Sequence, residues 1–277
     1  MPELPEVEVI CKGIIPHVQH ARITAIHHSG RPLRTAIPIQ EMRANLLNIP
    51  VVKIWRRAKY IVFSFANDTS LIFHMGMSGR LIVCPPATPP AKHDHLLFTL
   101  DSHLQLRMND TRRFGQVLFL NKEKSCDLEK TIFKNTGPEP FSEACNGEYL
   151  HRRARSSSQP VKTFLMNSQI IAGIGNIYAN ESLFAAGIHP AKPVSSLRLS
   201  QWEKLIKKIQ AILLWAIDCG GSTINDYINA SGKQGYFQAN FKIYGKKDTP
   251  CVVCRTTIEK RKIAGRASYF CPKCQKI

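Results

Sequence analysis

The chain predicts an α+β multidomain fold, with an antiparallel β-sandwich first, a helical domain second and a small cysteine-clamped module last. Three observations carry this. Between Arg22 and Lys122, short runs rich in Val, Ile, Leu and Phe alternate with polar residues at the two-residue period of half-buried strands. Beyond Thr136-Gly137-Pro138-Glu139-Pro140 the apolar period lengthens to that of helices. The last 27 residues hold Cys251-x2-Cys254 and Cys271-x2-Cys274, with 16 residues between the pairs.

Each element has a local reason. Glu3–Ile15 reads as a helix, with Pro5 in its first turn, where a missing N–H costs nothing, and Glu3, Glu6 and Glu8 near the positive end of its dipole. The strand segments are Val51–Phe65, Ser70–Cys84, His95–Leu100, His103–Met108 and Gln116–Asn121. Asn67-Asp68 and Asp101-Ser102 supply turns, and the proline-rich Pro85–Lys92 is a loop. Short strands joined by short turns favour the sandwich. In the second half, Glu148–Arg155, Val161–Met166, Asn176–Ala186 and Ser200–Cys219 have helical spacing. Ser200 suits the N-cap of the last helix and Gly220-Gly221 its end. No internal repeat is found, and Ser156-Ser157-Ser158 is too short to be more than a loop. The predicted domains are residues 1–135, 136–235 and 236–277.

Charge narrows the partner. Lys and Arg total 38 against 20 Asp and Glu, giving +18 and a pI near 9.7, at which nucleic acid becomes the leading partner class. Residues 1–149 hold 18 basic and 14 acidic side chains, a balance of +4, whereas residues 150–277 hold 20 and 6, a balance of +14. The C-terminal half is the electrostatic anchor. No stretch approaches the ~20 apolar residues of a membrane span, and the N-terminus lacks a basic region followed by an apolar run. No membrane partner is therefore expected, and the cytoplasm, where free thiols persist, is the expected location.

Four thiolates at the C-terminal spacing can enclose one tetrahedral Zn²⁺, and the metal would order a loop with little core of its own. A disulfide pair is the alternative, although the other five cysteines show no framework spacing. The clamped loop carries Lys260, Arg261, Lys262 and Arg266, with Lys273 and Lys276 just beyond, and so faces a polyanion.

At the other end the chain reads Met1-Pro2-Glu3-Leu4-Pro5-Glu6. Removal of Met1 would leave Pro2 as a secondary amine of modest basicity, able to attack an aldehyde-level carbon and form an iminium that cannot shed an N–H proton. Glu3 and Glu6 lie beside it and could move protons. The same residues also suit a simple helix start. Gly175-Asn176 opens a helix and could hold a phosphate, or be no more than a turn and cap. Asn109–Gly115 lies between two strands and is expected as an exposed hairpin tip showing Arg112, Arg113 and Phe114, either solvated or a wedge for a base stack. His74–Gly79 interrupts a strand with two glycines, reading as a bulge or as a Met offered to DNA.

Five segments together resemble the bacterial formamidopyrimidine-DNA glycosylase family. They are Pro2-Glu3-Leu4-Pro5-Glu6-Val7-Glu8, Met75-Gly76-Met77-Ser78-Gly79, Asn109-Asp110-x-Arg112-Arg113-Phe114-Gly115, the run from Gly173 through Gly175-Asn176-Ile177-Tyr178-Ala179-Asn180-Glu181, and the run from Gly265-Arg266 to Gln275. They occur in order from the first residues to the last. The resemblance implies a β-sandwich, a helix–two-turns–helix domain and a four-cysteine zinc finger with one structural zinc on Cys251, Cys254, Cys271 and Cys274. It implies excision of oxidised purines such as 8-oxoguanine and formamidopyrimidines, followed by strand cutting through β- and δ-elimination. The catalytic set would be Pro2 as nucleophile and Glu3 as acid/base, with Glu6, Lys59 and Arg266 in support.

Lys59 resembles the lysine that grips the phosphate beside the lesion. Met77, Arg112 and Phe114 resemble the trio that fills the gap left by an everted nucleotide, with Arg112 facing the orphaned cytosine. Asn176, Arg266 and Lys162 would be further DNA contacts, and Gly220–Gly235 resembles the loop that closes on the everted base. Ser78 stands where some relatives carry a Glu that touches the base. Leu4 separates the chain from the sister family, endonuclease VIII, which begins Pro-Glu-Gly-Pro-Glu. Double-stranded DNA with oxidised bases or abasic sites is the implied partner, a monomer the implied state, and the bacterial nucleoid the implied place. Two rivals remain at this stage: an oxidised-pyrimidine glycosylase of endonuclease VIII type, and a non-catalytic zinc DNA-binding protein.

Overall fold

The computed structural model describes residues 2–222 and 237–277, which fall into two compact units. Residues 2–134 with 219–222 form one, and 135–218 with 237–277 form the other. Of Gly220–Gly235, singled out above, residues 223–235 lie outside the described residues.

The first unit begins with α1 (Leu4–Val18), longer than the predicted helix at its C-terminal end. Val7, Ile10, Ile14 and Val18 are spaced by three or four residues, and all are buried. There follow β1 (Ile23–His28), α2 (Ile39–Leu46), β2 (Val51–Arg57), β3 (Tyr60–Phe65), β4 (Ser70–His74), β5 (Gly79–Cys84), β6 (Asp94–Leu100), β7 (Gln105–Asp110), β8 (Gln116–Leu120) and α3 (Lys122–Ser125). The strands make two antiparallel four-stranded sheets, β1-β6-β7-β5 and β2-β3-β4-β8. Phe63, Phe73 and Phe98 meet edge to face in the shared core, at 5.2 and 6.1 Å between ring centroids. Each large apolar side chain buried there contributes about 1.5–3 kcal/mol relative to exposure. On the other face of the second sheet, Val62, Ile72 and Leu120 pack with Phe133. Covering on both faces explains why β3 is nearly continuous in apolar residues.

Two predicted segments each prove to be two strands. Val51–Phe65 folds as a hairpin turned at Ala58, whose φ is +54°. Ser70–Cys84 divides at Met75–Ser78, where the chain leaves the second sheet for the first. A correction concerns Asn109–Gly115, which is not a hairpin tip. β7 belongs to the first sheet and β8 to the second, so this segment is the return crossing between them. The helix α2 was not foreseen.

In the second unit α4 (Gly147–Ala154), α5 (Val161–Leu165), α6 (Asn176–Ala186) and α7 (Leu199–Asp218) follow the predicted helices closely. The cap of α7 differs. Ser200 lies inside the helix, and the Arg198 N–H is instead satisfied by the Gln201 side chain at 3.0 Å. Buried Trp202, Leu205, Ile206, Ile209, Leu213 and Ala216 give α7 its apolar stripe, opposite the exposed Lys204, Lys207 and Lys208. α6 is buried nearly all round. A hairpin of β9 (Glu259–Ile263) and β10 (Arg266–Phe270) turns at Ala264-Gly265, both with positive φ, as a tight two-residue hairpin requires.

The hairpin clusters with the helices for a visible reason. The buried Glu181 carboxylate of α6 accepts the N–H groups of Lys242, Ile243 and Tyr244 at 3.0, 3.0 and 2.8 Å. Asn180 Oδ1 accepts Tyr269 N–H at 2.8 Å. Among the described residues no helix is long and apolar enough to cross a membrane.

The two sheet crossings touch at Gly76. Its φ is +60°, and a Cβ built there would lie 2.3 Å from the Phe114 carbonyl carbon. Gly76→Ala should therefore lower stability by about 1–3 kcal/mol or more, since it adds a strained backbone to a clash with main chain. A drop in the urea midpoint with an unchanged slope is the expected result.

Candidate active site and nucleic-acid interface

Pro2 and Glu3 are buried immediately before α1. The Glu3 N–H donates to Glu6 Oε2 at 2.9 Å. The other Glu6 oxygen, Oε1, accepts both the N–H and the hydroxyl of Ser222 at 2.8 Å each. Glu6 is thus a fixed acceptor that holds the Glu3 backbone on one side and Ser222 on the other.

Lys59 occupies the β2–β3 turn. This turn is tied to α1. Arg56 Nε donates to Glu8 Oε2 at 2.7 Å while its Nη1 donates to the Ala58 carbonyl at 3.1 Å. The helix that Pro2 and Glu3 lead into therefore also sets the backbone next to Lys59. His74, at the end of β4, meets Tyr60 with the rings tilted by 50° and their centroids 4.8 Å apart, and accepts the Gly76 N–H through Nδ1 at 3.1 Å. Burial, then the nearby Lys59 and Arg34 charges, push its pKa down to about 4. His74 is neutral at physiological pH, and because Nδ1 accepts, Nε2 carries the proton. Lys59, Arg34 and neutral His74 make a donor-rich, cationic corner suited to a phosphate.

Met77 lies on one sheet crossing and Arg112 and Phe114 on the other, and the two crossings are joined by the Arg112 N–H donating to Ser78 Oγ at 3.0 Å. Met75 is buried in the core, but Met77 is exposed on the same crossing. Arg112 and Phe114 are exposed on the other crossing, with the guanidinium 5.0 Å from the ring centroid.

In the second unit Asn176 opens α6 after Gly175. One turn on, Asn180 reaches Tyr269 of β10, so Asn176 shares the helix face that meets the hairpin. Arg266 is exposed at the start of β10. Lys162 departs from expectation as a direct DNA contact. It is 1% exposed, and its Nζ donates to the Ala267 carbonyl at 2.6 Å and Ser268 Oγ at 2.7 Å. Its charge is used to fasten the residues next to Arg266, because an ammonium buried in a protein needs acceptors around it.

The sulfurs of Cys251, Cys254, Cys271 and Cys274 all lie within 4.8 Å of one another. Four sulfurs at Zn–S bond length from one centre would be about 3.8 Å apart, and the pairs Cys251–Cys274 and Cys254–Cys271 stand at 3.9 and 3.4 Å. Val253 N–H points at Cys251 Sγ and Cys274 N–H at Cys271 Sγ, at 3.4 and 3.5 Å, as backbone donors do around thiolates that share a cation. The residues fit one structural zinc.

Three family models match successive parts of the chain. The formamidopyrimidine-DNA glycosylase N-terminal domain matches residues 1–117, the formamidopyrimidine-DNA glycosylase H2TH domain residues 136–227, and a zinc finger found in FPG and IleRS residues 249–277. A formamidopyrimidine-DNA glycosylase of Hahella chejuensis is 41% identical over 276 residues, and one of Escherichia coli 42%, each comparison covering 100% of both chains. Among solved structures, a Lactococcus lactis FPG variant bound to Fapy-dG-containing DNA has a TM-score of 0.91 at 33% identity over 100% of both chains. The L. lactis enzyme bound to abasic-site DNA has a TM-score of 0.90 at 32% identity. The chain combines the catalytic β-sandwich, H2TH domain and zinc finger of a DNA glycosylase. It belongs to the formamidopyrimidine-DNA glycosylase family.

Sequence reasoning passed over His74, Arg34, the Glu8–Arg56 pair and Ser222. His74, Glu8 and Ser222 do lie in segments singled out above, but their roles, like those of Arg34 and Arg56, come from contacts that the linear order of residues does not show.

His74 gives a pH prediction. Its folded pKa, about 4, lies below the ordinary value of 6.5, so the unfolded chain binds the proton more readily. Stability contributed by neutral His74 should be fully present above pH ~6.5 and fall as pH drops toward ~4. Imidazole nitrogen NMR at pH 6 should show the neutral Nε2–H form, and His74→Gln should flatten the stability profile in that window.

Proposed function

We propose that this chain is a bifunctional glycosylase and lyase of base excision repair that removes oxidised purines from duplex DNA and cuts the strand through an N-terminal proline Schiff base. The observation that carries it is the N-terminal arrangement, in which Pro2 and Glu3 sit at the head of a buried helix while Glu6 is fully engaged as an anchor. Once Met1 is removed, the Pro2 nitrogen attacks the sugar carbon that bears the damaged base, and the base leaves. Glu3 moves the proton that opens the sugar ring and supports departure of the base. The resulting iminium withdraws electrons from the neighbouring carbon, whose proton can then be lost, so β- and then δ-elimination sever the strand. Glu6 supports this by fixing the Glu3 backbone.

In this reading residues 1–135 carry the chemistry, while 136–235 and 236–277 grip the duplex. Lys59, with Arg34 and neutral His74, holds the phosphate beside the lesion, and Asn176 and Arg266 hold flanking phosphates. Met77, Arg112 and Phe114 fill the gap left by the everted nucleotide, which costs a few kcal/mol to swing out. Lys162 serves by holding the hairpin that presents Arg266. When bound, zinc stiffens that hairpin. The chain acts as a cytoplasmic monomer at the nucleoid. Names and DNA partners of the relatives favour oxidised purines; the L. lactis enzyme has also been solved with an oxidised-pyrimidine DNA, so pyrimidines are the secondary substrate class to test.

Borohydride trapping on a duplex with 8-oxoguanine opposite cytosine tests the chemistry. The adduct should map to the N-terminal peptide, Pro2→Gly should weaken it severely, and Glu3→Gln should stop base release yet spare cutting at a preformed abasic site. An adduct on a lysine peptide would sink the assignment.

Arg266→Ala should weaken binding to every duplex alike and lower the slope of log affinity against log salt by about 1, because one phosphate contact is lost. Chelation of zinc, verified by metal analysis, should act in the same direction through the hairpin.

A further inference from the structure

Asp110 belongs to a segment singled out by its arginines and phenylalanine, but the chemistry above leaves its carboxylate without a role. That carboxylate is completely buried. Its Oδ1 accepts the Ser78 hydroxyl at 2.6 Å and the Arg112 N–H at 3.2 Å, and its Oδ2 accepts the Gly115 N–H at 2.7 Å. Ser78 Oγ accepts in its turn the Arg112 N–H at 3.0 Å. The Asp110 backbone is held as well, its N–H donating to the His93 carbonyl and its carbonyl accepting from His95 Nε2, both at 3.0 Å. His95 is fixed from behind by Ser29, whose hydroxyl meets Nδ1 at 3.1 Å.

One buried carboxylate thus binds both crossings between the sheets. Residues 110–115 curl around it, which aims Arg112 and Phe114, and Ser78 attaches the crossing that carries Met77. A side chain driven into a base stack works against several kcal/mol of stacking. It can do so only if its backbone does not yield first. A carboxylate accepting a hydroxyl and two amides in a dry site provides such stiffness, because each donor left unpaired there would carry a desolvation penalty.

We propose that Asp110, acting through Ser78, is the positioning residue that makes Met77, Arg112 and Phe114 enter the duplex as one rigid unit. It follows that the Ser78 hydroxyl, which donates to Asp110 and accepts the Arg112 N–H, is occupied by holding the wedge rather than by reading the base. The proposal rests on the wedge reading of those three residues.

Asp110→Asn places an amide nitrogen against one of these donors, and Ser78→Ala removes only the connecting hydroxyl. Single-turnover base release is measured on a duplex with 8-oxoguanine opposite cytosine or adenine, and strand cutting on the same duplex with a preformed abasic site. The triple replacement of Met77, Arg112 and Phe114 by Ala is the reference, and thermal unfolding checks the fold of each variant.

Asp110→Asn should slow base release about tenfold more than abasic cutting, and should narrow the preference for the opposite cytosine. Ser78→Ala should do the same more weakly, and carries the test if Asp110→Asn fails to fold. Added to the triple replacement, Asp110→Asn should bring no further lesion-selective loss, because the two act as one device. Equal losses on both substrates from Asp110→Asn and Ser78→Ala, with the triple replacement still lesion-selective, would overturn the proposal and leave the wedge standing. A triple replacement that is not lesion-selective would overturn the wedge itself, and the positioning role with it.

Discussion

Capture of backbone N–H groups by a buried carboxylate holds three irregular segments of this chain still. Glu6 takes the amides of Glu3 and Ser222, Asp110 those of Arg112 and Gly115, and Glu181 those of Lys242, Ile243 and Tyr244. Loops have no ladder or helix to satisfy their amides, so a buried anion with several lone pairs is an efficient partner for them. The arrangement costs desolvation, which shows at Glu181. Burial pushes its carboxyl up while the three amides pull it back, leaving it raised.

This use of acids fits the charge balance. The 38 Lys and Arg cannot each have a carboxylate of their own, because the chain holds only 20 Asp and Glu and several of these are buried at structural tasks. The exposed ion pairs, such as Lys130–Asp127 and Lys247–Asp248, are worth little. The cations that matter are used in three ways. Arg266 is presented at the surface, while Lys162 is turned inward to grip the strand beside it. Arg56 and Glu8 show a third economy, in which an ion pair fixes the turn that presents Lys59.

Sequence periodicity revealed whatever depends on one element at a time. The helix limits of α6 and the strands β6 and β8 were legible because burial repeats along a single element, and the zinc ligands because their spacing is itself the constraint. What stayed hidden depends on which sheet a strand joins. The pattern around residues 109–115 is the same for a hairpin as for a crossing, and only the pairing of Asn109 with Arg80 and of Gln116 with His74 tells them apart. The burial of Lys162 stays hidden for a related reason: only its fold neighbours, far along the chain at Ala267 and Ser268, show it. The Ser200 cap is absent because the helix begins earlier, at Leu199, which places Ser200 inside the first turn and lets the Gln201 side chain turn back onto the Arg198 N–H.

An acid that binds main chain is blind to the side chains it steadies. At positions 112 and 242, whose side chains are exposed, identity can change without loosening the anchor, provided that neither becomes proline, which has no N–H to offer. Gly115 is different, because a Cβ there would lie 2.9 Å from Asp110 Oδ2, and so is Ser222, whose hydroxyl also binds Glu6. The constraint on such a loop is thus divided: the buried acid holds the main chain, and the exposed side chains are left to answer only to what they touch outside the protein.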